Sequence, residues 1–458
     1  MSPLRMVEAD YLVVGAGAMG MAFTDALIDH APDARVALVD RRHGAGGHWL
    51  AAYPFVRLHQ ASCFYGVAST QLGDGQLQTT GPEAGLSERA DQATICAYYA
   101  DLLAARFAGS VEFFGGCDHL GDRTFVSRIS GQRYAVSPEC RIVDARYLAP
   151  DIPAELPPKF AVGADARVIP VNDLVLLEEA PSQYVVVGSG KTATDAIVWL
   201  LSRGVDPDAV CWVRPREPWM LNRAVVQPDP AVFLGMVATM MEAASRVASL
   251  DALFLDLEDA GIMLRIDTAL TPTMAKAPTL GTWELELLRS IENVVRLGHL
   301  VSVARGRLEL SGGSVSIAPD AVVVNCAADG LKQPPLVPIW RPDGITLQPV
   351  RAGFPCFGAA LAGYVEATRS SDEERNALCR PSPYPNSLSD WARMNVVGLQ
   401  NAAVFGSAPD VAEWATRVAI NPSRVAPDHP GSAALDDARG RLQEHVGPGL
   451  ARLSEMVV

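Results

Sequence analysis

The stretch "GSGKTATDA", residues 188–196, decides the fold of this chain because it fits two different phosphate-binding turns. Gly190-Lys191-Thr192 has the ending of a nucleotide triphosphate loop, whereas Gly188-x-Gly190-x-x-Ala193 has the spacing of a dinucleotide-binding turn. The triphosphate loop needs another glycine five positions before Gly190, where this chain has Val185. Val185 belongs to the run Tyr184-Val185-Val186-Val187, and β-branched runs are typical of buried parallel strands. The sequence therefore predicts a strand, a dinucleotide-binding turn and a helix through Leu201. The cofactor contacts predicted for this turn are Gly188, Ser189, Gly190, Lys191 and Thr192.

The N-terminal part of the chain contains a more complete copy of the same unit. Residues 10–14 form a predicted strand, and Gly15-Ala16-Gly17-Ala18-Met19-Gly20 is a full Gly-x-Gly-x-x-Gly that opens a predicted helix. A second strand is predicted over residues 35–40, which places Asp40 where a carboxylate hydrogen-bonds the ribose hydroxyls of a dinucleotide. The alternative is a glycine-rich turn with no ligand. The predicted cofactor contacts are Gly15, Gly17, Ala18, Met19, Gly20, Asp40 and Arg41.

The two units differ at the position that reads the ribose. After the predicted strand 209–213, the second unit has Arg214 and Arg216 where the first unit has Asp40. A carboxylate repels a 2′-phosphate, whereas arginine pairs with it in bidentate fashion. We therefore expect a cofactor with a free ribose diol at the first turn and NADPH at the second, with two solvated surface arginines as the alternative.

The order of these units predicts the domain organisation. Proline-rich stretches at residues 149–158 and 333–338 flank the second unit, and such stretches make stiff connections between domains. We expect an α/β protein with two Rossmann-like dinucleotide-binding domains, the second inserted into the first. The expected bounds are 1–158 for the first part of the first domain, 159–332 for the inserted domain, and 333–458 for the return segment and tail. Helices are predicted within 231–260 and 282–297, and the tail after about residue 421 is expected on the surface.

Composition excludes several classes of protein. The net charge of −14 argues against a nucleic-acid or anionic-membrane surface, and no apolar run reaches the roughly 18 residues of a membrane helix. The N-terminus lacks a signal-peptide pattern, so the expected compartment is the cytoplasm. The eight cysteines include no Cys-x-x-Cys, which argues against a zinc site, a disulfide scaffold and a reductase dithiol. No metal is expected.

Several further segments follow one another in an order known from one family of flavoproteins. They are Gly46-Gly47-His48-Trp49, Tyr53-Pro54-Phe55-Val56-Arg57-Leu58-His59-Gln60, residues 187–193, Arg216-Glu217-Pro218-Trp219 and residues 353–363. With these motifs, residues 8 to about 365 resemble the class B flavin monooxygenases, which include Baeyer-Villiger, N-hydroxylating and sulfide-oxidising enzymes. The resemblance implies FAD at the first turn and NADPH at the second. It adds the FAD contacts Gly47, His48, Trp49, Arg57, His59, Gln60 and Gly358.

The resemblance also implies an activity. NADPH would reduce FAD, O2 would add to the reduced flavin, and a peroxyflavin would pass one oxygen atom to a small organic substrate by N-, S- or C-oxidation. Three departures from the family pattern weaken the subclass: Val143-Asp144-Ala145 and Cys326-Ala327-Ala328 replace Ala-Thr-Gly, the segment at Pro218-Trp219 is one residue short, and no histidine follows Phe160-Ala161-Val162-Gly163. That histidine is the best sequence mark of Baeyer-Villiger enzymes.

Catalytic candidates are few because the cofactors supply the difficult chemistry. Arg57 is expected to bind pyrophosphate or to steady a negative flavin, and His59 to contact flavin or substrate or to be structural. Asn222 is expected to face the nicotinamide, and Lys276 either meets an acidic substrate or lies in solvent. An NADPH-dependent flavoprotein reductase without oxygen transfer and a non-catalytic dinucleotide sensor remain alternatives, and the oligomeric state is left open.

Overall fold

The computed structural model describes residues 3–327, 331–332 and 334–457. Its strands, in chain order, are β1 Arg5–Val7, β2 Tyr11–Val14, β3 Val36–Asp40, β4 Val111–Gly115, β5 Cys117–His119, β6 Thr124–Ser127, β7 Arg133–Val136, β8 Arg141–Asp144, β9 Ala161–Val162, β10 Arg167–Pro170, β11 Tyr184–Val187, β12 Val210–Val213, β13 Pro218–Asn222, β14 Met263–Arg265, β15 Met274–Leu280, β16 Val294–Val295, β17 Leu300–Ala304, β18 Arg307–Leu310, β19 Gly313–Ser316, β20 Val322–Asn325, β21 Trp340–Arg341 and β22 Gly344–Thr346. Its helices are α1 Ala18–His30, α2 Gln92–Asp101, α3 Lys191–Ser202, α4 Pro230–Arg246, α5 Leu250–Asp259, α6 Thr282–Arg289, α7 Pro355–Thr368, α8 Asp372–Leu378, α9 Leu388–Gly406, α10 Pro409–Arg417 and α11 Ala433–Met456. None of the helices in these residues is both long and apolar enough to cross a membrane.

The first sheet has six strands in the order β21-β22-β8-β2-β3-β4. Strands β22, β8, β2, β3 and β4 are parallel, and β2 and β3 are almost wholly buried, as expected for apolar runs in a covered parallel sheet. Helix α7 packs against α1 so closely that a β-carbon on Gly363 would overlap the carbonyl oxygen of Phe23. A small sheet in the order β1-β7-β6-β5 packs against the first sheet through a separate apolar cluster that includes Leu12 and Phe125. These layers hold the first glycine turn at the carboxyl end of β2.

The second sheet repeats this plan. Its order is β10-β20-β11-β12-β16, and every pairing in it is parallel. Helices α3 and α6 pack on one apolar cluster of the sheet, whereas a small sheet in the order β19-β18-β17-β9 packs on another. The predicted strand, turn and helix at residues 184–201 are confirmed, with the turn at the carboxyl end of β11.

The predicted insertion is confirmed by the strand order. Strands β21 and β22 follow the second sheet along the chain, yet β22 pairs with β8 in the first sheet. The inserted unit therefore lies between two parts of one domain. The bounds 1–158, 159–332 and 333–458 stay a proposal. Gln333 of the second predicted junction and Ala328 of the Cys326-Ala327-Ala328 segment lie outside the described residues.

One expectation about the helices was wrong. In the segment 282–297, α6 ends at Arg289 and Val294–Val295 forms the edge strand β16, because two β-branched residues follow the helix end and pair with β12.

The tail lies on the surface as expected, where it forms the mostly exposed helix α11 and packs along α4. Small residues permit this contact, because a β-carbon on Gly449 would overlap the backbone of Met241.

Candidate functional site

The two glycine turns open helices whose first amides have no side-chain cap. Six other helices are capped by an aspartate or serine side chain: α2 by Asp91, α4 by Asp229, α5 by Ser249, α8 by Ser371, α9 by Ser387 and α11 by Ser432. Helices α6, α7 and α10 lack a capping side chain, but α6 and α10 have an acidic residue in the first turn and α7 begins with Pro355. Helices α1 and α3 begin after Gly17 and Gly190 with no capping side chain, no acidic residue in the first turn and no proline there. Uncapped amides and the positive end of the helix dipole suit a phosphate group. Both turns are therefore built to receive an anion.

The glycines within these turns have different reasons to be glycine. Gly15 and Gly188 have φ angles of +107° and +141°, which side-chain-bearing residues rarely adopt. Gly20 is required by packing, because a β-carbon there would overlap the carbonyl oxygen of Gly15. At Gly190, φ is −95° and a β-carbon would meet no atom within 4 Å. Neither packing nor backbone conformation requires a glycine at position 190, and the open space beside it would let a ligand approach the backbone.

Asp40 lies where the first turn predicts it, at the carboxyl end of β3. One carboxylate oxygen accepts a hydrogen bond of 2.7 Å from the Ala16 amide, and the other accepts one of 2.8 Å from the Arg42 amide. Gly46 and Gly47 lie against the same turn. The Gly46 amide donates to the Ala16 carbonyl oxygen, and a β-carbon on Gly47 would come within 2.8 Å of Gly17. The structure thus brings the first turn, Asp40 and Gly47 together. Arg41 instead pairs with Glu155 in the proline-rich junction, at 2.5 Å.

The side chains that follow Gly47 are largely buried. The indole of Trp49 donates to the Tyr65 hydroxyl at 2.6 Å, so its polar atom is already paired. Burial, reinforced by the positive charge of Arg42, lowers the pKa of His48 to about 4. Next along the chain, the Tyr53 hydroxyl donates to Asp195 at 2.7 Å, and the ring of Phe55 stacks on Trp199 at 4.8 Å. Residues 53–60, which include the predicted FAD contacts Arg57, His59 and Gln60, therefore begin with two aromatic side chains that pack against α3 of the inserted unit.

The structure separates the two arginines of the second turn. Arg214 is buried with its guanidinium 4.4 Å from the centre of the Trp212 ring; its Nε donates to Glu217 at 3.1 Å, and its Nη1 has no hydrogen-bond partner. Arg216 is exposed, and its backbone amide donates to the Ser189 hydroxyl in the turn at 3.3 Å. Arg216 is therefore the more accessible of the two arginines beside the turn, whereas Arg214 is held by Trp212 and Glu217.

The ammonium group of Lys191 is not free, as the lysine of a triphosphate loop would need to be. Its ammonium pairs with Asp195 on the next turn of α3, and lies 3.7 Å from Glu284. A lysine already paired with two carboxylates is not free to grip phosphates. This arrangement agrees with the dinucleotide interpretation of the turn.

A buried ionic network connects the first domain to the inserted unit, and the sequence did not predict it. Arg223 pairs with Glu83 and, at 2.6 Å, with Glu284, while Arg89 pairs with Glu83 at 2.7 Å. Burial raises the pKa of Glu284, but Lys191 and Arg223 outweigh this effect and hold its pKa at about 2. The members of this ionic network come from distant segments of the chain, so no spacing in the sequence could have indicated the network.

His59 lies against this network. Its carbonyl oxygen accepts hydrogen bonds from Arg223, at 3.0 Å, and from the Thr279 hydroxyl, and its Nδ1 faces the Thr279 amide at 3.3 Å. Burial, followed by the positive charges of Lys191, Arg223 and Arg89, lowers the pKa of His59 to about 3. The ring is therefore neutral at physiological pH, which makes His59 a poor candidate for proton transfer near neutrality.

The two depressed histidines predict an acid-sensitive fold. At pH values below the unfolded pKa of about 6.5 and above the folded pKa values, these histidines are protonated in the unfolded state and neutral in the folded state. The free energy of unfolding therefore falls as pH falls. From pH 6.5 to 5, we expect each of His48 and His59 to cost up to about 2 kcal/mol of unfolding free energy. Urea denaturation at pH 7 and pH 5 measures this loss. A His48→Gln, His59→Gln double variant should lose clearly less over the same interval, and an equal loss would contradict the assignment.

Three other predicted site residues have been located, and the catalytic roles of Arg57 and Asn222 and the cofactor contact of Gly358 stay predictions. Arg57 is exposed, with its backbone bridged to that of Asp91. The side-chain nitrogen of Asn222 donates to the Gly261 carbonyl oxygen at 2.8 Å, and its side-chain oxygen accepts from the Ala224 amide at 3.0 Å. Both polar atoms of this side chain are therefore already hydrogen-bonded. Gly358 lies in the first turn of α7, where a β-carbon would come within 3.0 Å of the Val350 amide.

An apolar cleft, open to solvent, lies between the first domain, the inserted unit and the C-terminal helices. Its lining includes Gln60, one of the predicted cofactor contacts, and the Gly353–Phe354 segment that leads into α7. Lys276 is not among the described lining residues, although its neighbours Ala277 and Thr279 on β15 are. The cleft also contains Arg351, a buried charge that the sequence analysis missed. A lone arginine in an apolar segment was the available signal.

Comparison with known proteins identifies relatives and a shared fold. No family model matches the chain. The uncharacterized proteins Rv2000 of Mycobacterium tuberculosis (strain ATCC 25618 / H37Rv) and Mb2023 of Mycobacterium bovis (strain ATCC BAA-935 / AF2122/97) are each 40% identical to it over 424 residues, covering 92% of this chain and 78% of the relative. Among solved structures, the polycyclic ketone monooxygenase of Thermothelomyces thermophila matches 98% of this chain and 90% of its own length, with a TM-score of 0.54 and 12% identity.

These similarities extend over nearly the whole chain. The chain belongs to the same family as Rv2000 and Mb2023, and it has the two-dinucleotide-domain fold of the class B flavin monooxygenases.

Proposed function

We propose that this protein is an FAD-dependent, NADPH-using monooxygenase that oxygenates a small organic substrate. The observation that supports this most directly is the pair of glycine turns at the starts of α1 and α3, each at the carboxyl end of a buried parallel strand and each followed by uncapped helix amides. When bound, FAD and NADPH supply hydride transfer and the activation of O2. The polycyclic ketone monooxygenase with the same fold is named for such an activity.

The residues of the first turn suit FAD. The amides at the start of α1 would hold the pyrophosphate, and Gly47 lies close enough to enclose it from the other side. Asp40, anchored by two backbone amides, keeps lone pairs for ribose hydroxyls. The second turn suits NADPH, with Gly190 open to the pyrophosphate and Arg216 at the ribose. The cleft would keep water from the reacting atoms through its apolar lining.

Stopped-flow spectroscopy of the purified protein tests this proposal. A yellow protein whose flavin absorbance NADPH bleaches is a redox enzyme, and a colourless protein would favour a dinucleotide sensor. During reoxidation by O2, a monooxygenase gives spectra beyond those of oxidised and reduced flavin. A direct conversion between those two spectra, with no other species at any time, would instead identify a reductase.

The two arginines of the second turn should behave differently in the same assay. Because charge-assisted hydrogen bonds contribute about 1.5–3 kcal/mol, Arg216→Ala should raise the Michaelis constant for NADPH by about tenfold or more and leave that for NADH nearly unchanged. Arg214→Ala should instead reduce stability, because it leaves Glu217 with one partner fewer in a buried place. Equal losses for NADPH and NADH in Arg216→Ala would show that this residue does not read the 2′-phosphate.

A further inference from the structure

The cleft is lined mainly by apolar side chains. One part of the lining is a stripe of α4, in which Phe233, Met236, Val237 and Met240 recur at helical spacing. From Phe233 to Met240 the helix rises about 10 Å. Another part comes from α9, where Trp391 and Met394 line the cleft. Methionines adapt their shape to a ligand, so this lining can accept a flexible chain.

One end of this apolar cleft carries a positive charge without a counter-charge. Arg351 is 7% exposed and is the one charged side chain among the described residues of the lining. Its Nη2 donates to the Ser423 hydroxyl at 3.1 Å, and among the described residues no carboxylate lies within ion-pair distance of it. Burial lowers the pKa of Arg351 to about 10, so it stays protonated near neutral pH.

A buried, unpaired guanidinium is costly unless something compensates it. Other deeply buried arginines of this chain have carboxylate partners: Arg223 has Glu83 and Glu284, and Arg214 has Glu217. A ligand that carries a carboxylate into the cleft would supply the partner that Arg351 lacks. Gln60 lines the same cleft and is 5% exposed, which adds a neutral hydrogen-bonding group for the polar end of that ligand.

We propose that the cleft binds a substrate with an apolar chain and a carboxylate, and that Arg351 pairs with the carboxylate. This deepens the proposed function, since the same cleft would present the substrate beside the Gly353–Phe354 segment predicted to lie at the flavin. The apolar chain would lie between the α4 and α9 stripes. The reduced flavin is the other possible source of an anion at Arg351, and the experiment separates the two.

Isothermal titration calorimetry of the FAD-loaded protein tests the proposal with decanoate, decan-1-ol and decylamine, all below their micelle concentrations. These probes share one chain and differ in the charge of the head group. Wild-type protein should bind decanoate at least about tenfold more tightly than decylamine. Arg351→Gln should weaken decanoate binding by about tenfold or more, leave decan-1-ol within about threefold, and Arg351→Lys should restore part of the loss.

These titrations test the proposal by binding alone, so they do not require catalytic turnover. If wild-type protein binds decanoate no better than decylamine, the proposal is wrong even should the variants fail to fold. It is also wrong if Arg351→Gln leaves decanoate affinity unchanged and shifts only the reduction potential of the flavin, because Arg351 would then serve the flavin. Flavin reduction by NADPH without any decanoate tests the proposed function separately, so the two can fail independently.

Discussion

Replacing Gly190 with valine is expected to abolish reduction of the bound flavin by NADPH while the protein keeps its FAD and its fold. A β-carbon at this position meets no protein atom within 4 Å, so the side chain would enter open space at the mouth of the turn. In a dinucleotide turn, the pyrophosphate occupies that space and can approach the backbone closely because glycine has no side chain. The valine would therefore exclude the cofactor without disturbing the packing below it. Flavin absorbance after anaerobic mixing with NADPH measures the effect.

Two controls give this experiment its meaning. Gly440→Val adds the same side chain at an exposed position of α11, also with no atom within 4 Å, and should leave NADPH reduction intact. Lys191→Ala should weaken NADPH modestly, since that lysine pairs with Asp195, and ATP should be neither bound nor hydrolysed. Normal reduction in Gly190→Val would remove the second turn as the NADPH site. ATP hydrolysis that Lys191→Ala abolishes would restore the triphosphate interpretation.

The parts of the fold that the sequence predicts are those set by local rules. Buried β-branched runs, glycine spacing and the position of Asp40 specify two βαβ units, and the structure confirms both. The return of β22 to the first sheet was also predictable, because a proline-rich stretch precedes it. The wrong expectation concerns a place where a tertiary contact decides. Val294–Val295 continues an apolar pattern but pairs with β12. The packing of the tail helix α11 along α4 is a tertiary contact that the sequence did not predict.

The candidate site divides in the same way. Residues of the two turns could be predicted because backbone geometry and phosphate chemistry constrain them. The different roles of Arg214 and Arg216 could not, because burial by Trp212 is a tertiary property. The same holds for Arg351, whose importance depends on which side chains are absent around it. The sequence can show that a charge exists, but its missing partner becomes visible only in three dimensions.

The ionic network around Arg223 is the feature that most depends on the assembled fold, and Arg223→Met is expected to cause the largest loss of stability. Arg223 is 1% exposed and pairs with Glu83 of the first domain and Glu284 of the inserted unit. Removing one member of a buried network leaves carboxylates without compensation, at a cost of about 3–5 kcal/mol. Urea denaturation of the holoprotein at fixed FAD concentration measures it, because bound cofactor itself adds stability.

A matched variant separates burial from simple loss of charge. Arg246 pairs with Glu242 on the surface of α4, where its side chain is 58% exposed, so Arg246→Met should cost less than about 1 kcal/mol. Adding Glu83→Gln and Glu284→Gln to Arg223→Met removes the stranded charges and should recover part of the loss, since neutral groups are cheaper to bury than unpaired carboxylates. If Arg223→Met proves no more costly than Arg246→Met, the network does not hold the two domains together. If the triple variant is less stable than Arg223→Met alone, the loss arises from packing around the long side chain and not from stranded charge.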